Sequence, residues 1–332
     1  MSEPLERIRL GHGGGGTLMQ ELIDQELRQL YRDPAQPLHD AATIARPAGA
    51  LAFTTDSYVV HPLDFPGGDI GALAITGTAN DLAMAGARPS QISVALILEE
   101  GLELSCLRRI VASMARAAAA CGVAIVTGDT KVVERGKADR LFITTSGLGV
   151  IESPAPIGPG AIAVGDQLLV SGDLGRHGLA ILAARHGLSL EPPITSDCGP
   201  LWPLVERCLA AGVKFHGLRD HTRGGLARAL QERASAAVAT FHIEEERVPV
   251  LPTVGRACDI LGFEPLHLAN EGRFLAVVPP GSQQAVTELL APHGGGWIGE
   301  VRAGAPRVVL RTRYGSDRLL VPLSGELLPR IC

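Results

Sequence analysis

Aromatic residues are scarce: Phe, Trp and Tyr make up 4% of the 332 residues, so any core must be assembled from Ala, Val, Leu and Ile. The apolar stretches are broken by charge or glycine well short of a membrane span. Residues 1–9 are polar and partly acidic, unlike a secretory or transit peptide, and a cytoplasmic location is expected. No two cysteines have CxxC spacing, which excludes a zinc ribbon and a thioredoxin-type site. No glycine loop closes with Gly-Lys-Ser/Thr and no kinase signature set is present, so a P-loop and a protein-kinase site are both excluded. There is no short-period repeat and no low-complexity tract. The formal net charge of −5 gives no electrostatic reason for nucleic acid or an anionic membrane as the main partner.

What is abundant is glycine, 40 residues, pointing to tight turns or close backbone approaches to a ligand. The length favours two domains. In the first half, strand and helix signals alternate: strands at 51–60, 91–98, 123–127 and 141–150, helices at 69–86 and 105–121. The densest proline and glycine stretch, Ser153–Gly160 (SPAPIGPG), marks a boundary. Beyond it come helices at 178–186, 201–211 and 224–234, with strands at 167–170, 237–243, 274–278, 297–300 and 307–311. The division expected is 1–155, 161–324 and a mobile tail, 325–332.

Five acidic or glycine-rich turns carry the candidate chemistry. Gly11–Gly16 (GHGGGG), with Gly13, Gly14 and Gly15 at its centre, is either an anion-binding nest of backbone N–H groups or a flexible surface loop. In Thr54–Ser57 (TTDS), Asp56 interrupts an apolar strand, so it is either a paired or metal-bound carboxylate or simply faces solvent. Asn80-Asp81 interrupts a helix of small apolar residues, where both residue types compete for backbone hydrogen bonds and suggest a site. Thr127–Lys131 (TGDTK) reads as a loop after a strand, where Asp129 beside Lys131 suits Mg²⁺ and phosphate, or is a plain Gly-Asp turn. The last is a pair, Arg219–Gly225 (RDHTRGG) and Asn270–Arg273 (NEGR), in which His221 has at most a supporting role. Asp56, Asp81, Asp129 and Asp220 together would suit two or more Mg²⁺ ions on one triphosphate. Five of the six cysteines fit small buried hydrophobes; Cys332, the last residue, does not.

The order TTDS, NDLAMAGA, TGDTK, a Pro/Gly boundary, DHTRGGLA and NEGR resembles the aminoimidazole-ribonucleotide-synthetase (PurM-like) superfamily of ATP-using enzymes, over essentially the whole chain. The N-terminal GHGGGG and the final Pro329-Arg330-Ile331-Cys332 resemble its hydrogenase-maturation branch. The resemblance implies an α+β fold of two PurM-like mixed α/β domains, the N-terminal domain dimerising through its β-sheet, with a flexible C-terminal tail. It implies ATP and Mg²⁺ near the dimer interface, with Asp56, Asp81 and Asp129 as nucleotide and Mg²⁺ ligands, Asn80 beside them and Asp220 as a further metal candidate. It also implies a carbamoyltransferase, HypF, loading the terminal cysteine, and a HypC–HypD complex accepting cyanide for the iron of a nickel–iron hydrogenase.

The residues suit such a reaction. A terminal thiolate is a nucleophile that can visit two sites on a tail reaching ~3.3 Å per residue. A prenylation motif is excluded, since its cysteine lies four residues from the end. Phosphorylation of a carbamoyl oxygen by ATP creates a leaving group, and elimination then needs a base within hydrogen-bond reach. Glu271 is the candidate base, unless it merely pairs with Arg273, and Lys131 the candidate for stabilising the transferred phosphoryl group. The alternatives are a small-molecule kinase, a selenophosphate synthetase (disfavoured because no cysteine precedes Cys106), and a non-catalytic scaffold with a docking tail.

Overall fold

In the computed structural model, residues 7–31, 41–45, 47–321, 325, 328 and 330–332 are described; Pro329 and residues 1–6 lie outside them. The first half begins with a short helix, α1 (Thr17–Leu22), after the glycine turn Leu10–Gly13. It continues through β1 (Leu51–Tyr58), the small hairpin β2 (Asp64–Phe65) and β3 (Gly68–Asp69), α2 (Ile70–Met84), β4 (Ala87–Glu99), α3 (Leu104–Cys121), β5 (Ala124–Val133) and β6 (Leu141–Ile151). Its four-stranded sheet has the order β1-β6-β4-β5, parallel only between β4 and β5.

The two helices behind this sheet are built differently. In α3 the apolar residues Leu107, Ile110, Val111 and Met114 share the buried stripe, and the helix stops at Gly122 with φ +67°. By contrast, α2 has no stripe, because 12 of its 15 residues are buried. Leu73 and Ile75 join the core under the first sheet, whereas Ala83 and Met84 pack with Trp202 and Leu204 from the second half. Helix and strand approach so closely that a Cβ at Gly77 would overlap the Tyr58 hydroxyl, so only glycine fits there. Asp69 caps α2 by accepting from the Ala72 N–H at 2.9 Å.

The second half runs β7 (Gln167–Gly172), α4 (Arg176–His186), α5 (Trp202–Ala210), β8 (Gly217–Asp220), α6 (Gly225–Ala237), β9 (Thr240–Glu244), α7 (Pro252–Leu261), β10 (Phe274–Val278), α8 (Gln283–Leu290), β11 (Gly294–Arg302), β12 (Arg307–Arg311) and β13 (Asp317–Leu319). Its seven strands are ordered β13-β12-β9-β11-β7-β10-β8. Leu226 and Leu230 of α6 cover one face, and Val205, Val286 and Leu290 of α5 and α8 the other. Every residue of β7 is therefore buried, as a strand covered on both faces requires.

Two local expectations are corrected. Thr127–Lys131 is not a loop: it lies within β5, with Asp129 opposite Ala95 of β4. Ala237 ends α6 rather than starting a strand; the chain turns at Val238, φ +50°, and β9 begins at Thr240. The tail, expected as a mobile arm, has its last residues seated along residues 59–61.

Candidate active site

The two halves meet at a cavity of about 840 Å³ whose wall includes Asp56 from β1, Asp81 from α2, Arg219 from β8, Arg223 from the turn after it, and the tail residues Ile331 and Cys332. Strand alternation decides which way β1 points its acid. Residues 52, 54, 56 and 58 turn towards α2, and residues 51, 53, 55 and 57 are the exposed set. Thr54 on the inner face donates to the Asp81 carboxylate at 2.8 Å. Asp56 is thus on the helix side, 35% exposed, with Arg223 3.8 Å away.

Asp220 and Glu271 stand behind the wall, where water is excluded. Burial raises the Asp81 carboxyl above its ordinary value against the Thr54 hydrogen bond, and Asp56 adds to the rise. Burial pushes Asp220 up to about 6, against the Arg219 guanidinium that pairs with it, with Asp81 and Asp56 raising it further. Glu271 is raised well above the carboxylate range by burial and then by Asp220, Asp197, Asp56 and Asp81. Its Oε1 is buried with no hydrogen-bond partner among the described residues. Each carboxylate here disfavours ionisation of its neighbours.

The backbone of Glu271 is fixed from both halves. Asn80 of α2 donates to the Glu271 carbonyl at 3.1 Å and to the Gly199 carbonyl at 3.0 Å, and accepts from the Leu201 N–H at 2.8 Å. The Asp197 carboxylate accepts from the Glu271 and Gly272 N–H groups, each at 3.2 Å. Asn80, expected beside the nucleotide, is therefore fully engaged in tying the halves together. Glu271 does not pair with Arg273, whose guanidinium reaches Asp173 at 2.7 Å instead. His221 is fully buried, its pKa lowered to about 3 by burial and by Arg219 and Arg273, so its ring is neutral.

The tail runs alongside residues 59–61. The Val59 N–H donates to the Cys332 carbonyl at 3.1 Å and the His61 N–H to the Arg330 carbonyl at 3.2 Å. Arg330 returns a hydrogen bond to the Val59 carbonyl at 3.0 Å and pairs with Asp139 at 2.8 Å. Cys332 thereby lines the cavity together with Asp56 and Asp81.

Asp129 and Lys131 are elsewhere. They pair with each other at 2.8 Å in the open, 56% and 63% exposed. Register links Asp56 to Thr145, Thr145 to Val94 and Val94 to Gly128, which puts β5 three strand spacings, ~14 Å, from β1. Asp129 and Lys131 also lie opposite Ala95 and Ile97, on the face turned away from α2. The glycine turn packs on the same strand: a Cβ at Gly13 would come within 2.9 Å of the Val132 nitrogen, while Gly14 and Gly15 have no such close neighbour. One chain therefore brings Asp56, Asp81, Asp220, Glu271 and Cys332 together and leaves Asp129, Lys131 and Gly13–Gly15 apart.

Among the described residues, no three or more His, Cys, Asp or Glu side chains form a preformed metal cage. The donor set nevertheless fits a hard cation held by one or two carboxylates with water and phosphate oxygens completing its shell.

Residues 38–151 match the family of AIR synthase related proteins, N-terminal domain, and residues 163–311 its C-terminal domain. The carbamoyl dehydratase HypE of Rhodobacter capsulatus is 49% identical over 98% of both chains. The chain belongs to the HypE family. A solved structure of HypE in complex with ATP superposes with a TM-score of 0.93 at 44% identity, covering 97% of this chain and 99% of that one. HypE from a HypE–HypF complex gives a TM-score of 0.80 at 39% identity, over 93% and 100% of the two chains. The selenophosphate synthetase, kinase and scaffold alternatives have no comparable support from relatives of this identity.

Residues that sequence reasoning missed are His177, Arg185, Ser196 and Asp197. None lies in one of the glycine- or acid-rich turns singled out above, and the role of each depends on contacts with residues far along the chain.

Proposed function

We infer that this chain is an ATP-dependent carbamoyl dehydratase of hydrogenase maturation, converting an S-carbamoyl group on its own Cys332 into S-cyanate. The observation that carries the reading is the seat of Cys332 on a wall of carboxylates, with the buried Glu271 behind it. A kinase for a free small molecule would have no use for a tail occupying that wall.

The steps balance as follows. The carbamoyl oxygen attacks the γ-phosphorus of ATP and ADP leaves. Loss of one N–H proton gives a neutral imidate phosphate. Loss of the second N–H proton, with cleavage of the C–O bond, forms the C≡N triple bond and releases phosphate. Glu271 is the base we assign to the second proton, because its position is held from both sides by Asn80 and Asp197. Burial and the carboxylates of Asp220, Asp197, Asp56 and Asp81 hold the carboxyl protonated in spite of Arg219 on Asp220 and Arg223 near Asp56, so ionisation requires further positive charge near them. Mg²⁺ on Asp56, Asp81 or Asp220, with ATP, would supply that charge and balance the transferring phosphoryl group.

Asp129, Lys131 and Gly13–Gly15 enter this scheme through a second copy. The face of the four-stranded sheet away from α2 exposes Leu51 at 52%, Phe53 at 69% and Ile97 at 39%. A homodimer formed on that face would cover these side chains and bring one chain's Lys131 towards nucleotide held by the other. HypF as the loading partner, and HypC–HypD as acceptor, complete the reading.

The test is mass spectrometry of the intact protein incubated with carbamoyl phosphate, HypF, ATP and Mg²⁺. Tryptic cleavage after Arg330 isolates Ile331-Cys332. An adduct there that loses the mass of one water only with hydrolysable ATP is expected, and Cys332→Ser should abolish it. ATP consumed with no adduct on Cys332 would overturn the reading.

A further inference from the structure

The proposed reaction requires the loaded tail to be held still while ATP reacts. We propose that His177 is the positioning residue that holds it, at the end of a directional hydrogen-bond relay running from the Cys198 N–H through Ser196 to the Ile331 carbonyl.

The direction follows from what each group can do. The Cys198 N–H can only donate, and its partner is Ser196 Oγ at 3.0 Å. The serine proton is directed to His177 Nδ1 at 2.8 Å. At the other side of the ring, His177 Nε2 lies 2.7 Å from the Ile331 carbonyl oxygen, which can only accept. These constraints select one neutral tautomer, with the proton on Nε2. The ring is completely buried, its edge against Phe65 with centroids 5.4 Å apart at 88°. Burial lowers its pKa, opposed by the Ile331 contact and Asp197, which favours the same neutral form.

His177 is also tied to the segment that carries Glu271. The Gly175 N–H donates to Asn270 Oδ1 at 2.7 Å and the Gly178 N–H to the Ala269 carbonyl at 3.1 Å. The first turn of α4 is thus stapled to residues 269–270, next to Glu271. The group that grips the tail and the segment that carries Glu271 share one framework. Further along α4, Arg185 donates to the carbonyls of both His61 and Arg330, from Nη2 at 2.8 Å to each. One helix therefore holds the tail at two successive carbonyls.

The inference rests on the dehydratase reading for its purpose, but its first readout does not depend on that chemistry. The experiment measures alkylation of Cys332 by iodoacetamide in the full-length protein, scored on Ile331-Cys332, for His177→Gln, His177→Asn and Arg185→Met. Gln places its amide nitrogen near the position of Nε2 and keeps the tail contact; Asn places it near Nδ1 and loses that contact. Loss of one net hydrogen bond shifts an equilibrium about 2- to 10-fold. Alkylation should therefore accelerate by about that factor in His177→Asn and stay near wild type in His177→Gln. Single-turnover dehydration of preloaded protein should fall in His177→Asn by less than that factor, because a tail that rests mostly seated loses little occupancy, while loading by HypF is not slowed. Arg185→Met, a change outside the core, should also accelerate alkylation, so the test survives if a buried variant fails to fold. Equal alkylation rates in folded His177→Asn and wild type, or equal impairment by Asn and Gln, would overturn the proposal. Faster alkylation in a protein whose wild type dehydrates nothing would leave the tail grip standing and remove the dehydratase reading.

Discussion

The two faces of the four-stranded sheet treat charge in opposite ways. Towards α2, Asp56 and Asp81 line the cavity near the buried Asp220 and Glu271, and the carboxyls of Asp81, Asp220 and Glu271 are all raised. On the other face, Asp129 sits in solvent beside Lys131, which together with the Thr130 N–H lowers its pKa. The same residue type is thus destabilised on one side of a sheet and stabilised on the other. The inner face keeps its carboxyls raised even with Arg219 beside Asp220 and Arg223 near Asp56. The outer face has an ion pair and exposed hydrophobic side chains that a single chain leaves uncovered.

The sharpest break of this comparison is Glu271→Gln. A general base contributes about 10²- to 10⁴-fold, so dehydration should fall by that order while ATP binding, measured by calorimetry, persists. Unchanged turnover would remove Glu271 from the mechanism. On the outer face, Phe53→Glu places a charge where a second copy would bury it. It should yield a folded monomer by light scattering, and a persistent dimer would move the interface elsewhere.

Asp220→Asn isolates the cost of the inner face. Its folded pKa of about 6 exceeds the ordinary carboxylate value of 3.8, so the folded state binds the proton more tightly than the unfolded chain. Its contribution to stability is therefore lost as pH rises from about 4 to about 6, with ~3 kcal/mol at stake. Without nucleotide, the variant should melt above wild type at pH 7.5, and the gap should close towards pH 4.5. A gap that widens on acidification would contradict the assignment. The smallest effect belongs to Lys131→Met. Its exposed pair contributes ~1 kcal/mol or less, so melting should barely change although dehydration falls. Unaltered dehydration would separate the outer face from the chemistry.

Much of this was legible in the sequence because it repeats along the chain. The buried stripe of α3, the Gly122 stop and the apolar run of β10 are periodic or local signals. Asn80 and Asp81 stood out because polar residues interrupted small apolar ones, and both proved to be at the junction of the halves. What stayed hidden depends on distant partners. The acid in TGDTK gave no sign of which face it would take, because Val126 is an extra residue on β5, between the partners of Ile92 and Ser93, and shifts the β4–β5 register. Helix α8, at eight residues, is too short for a periodicity to declare itself. Helix α7 offers a readable start in Pro252 at its first position and a stop in Gly262 at its end, yet the expected helices do not include it. His177 and Ser196 are 19 residues apart and meet a carbonyl 154 residues away, a relation no local pattern encodes.

The tail is held at its main chain, by the carbonyls of Arg330, Ile331 and Cys332, and by side chains that carry no cargo, Arg330 on Asp139 and the buried Ile331. Such a clasp is blind to cargo. A bare thiol, a carbamoyl thioester and a thiocyanate present the same peptide backbone to Val59, His61, His177 and Arg185, so the holding affinity hardly distinguishes them. Traffic cannot then be directed by the product loosening its own seat. The order of visits must be written by the nucleotide, whose arrival and hydrolysis change the charge around the seat, and by the partners waiting outside it.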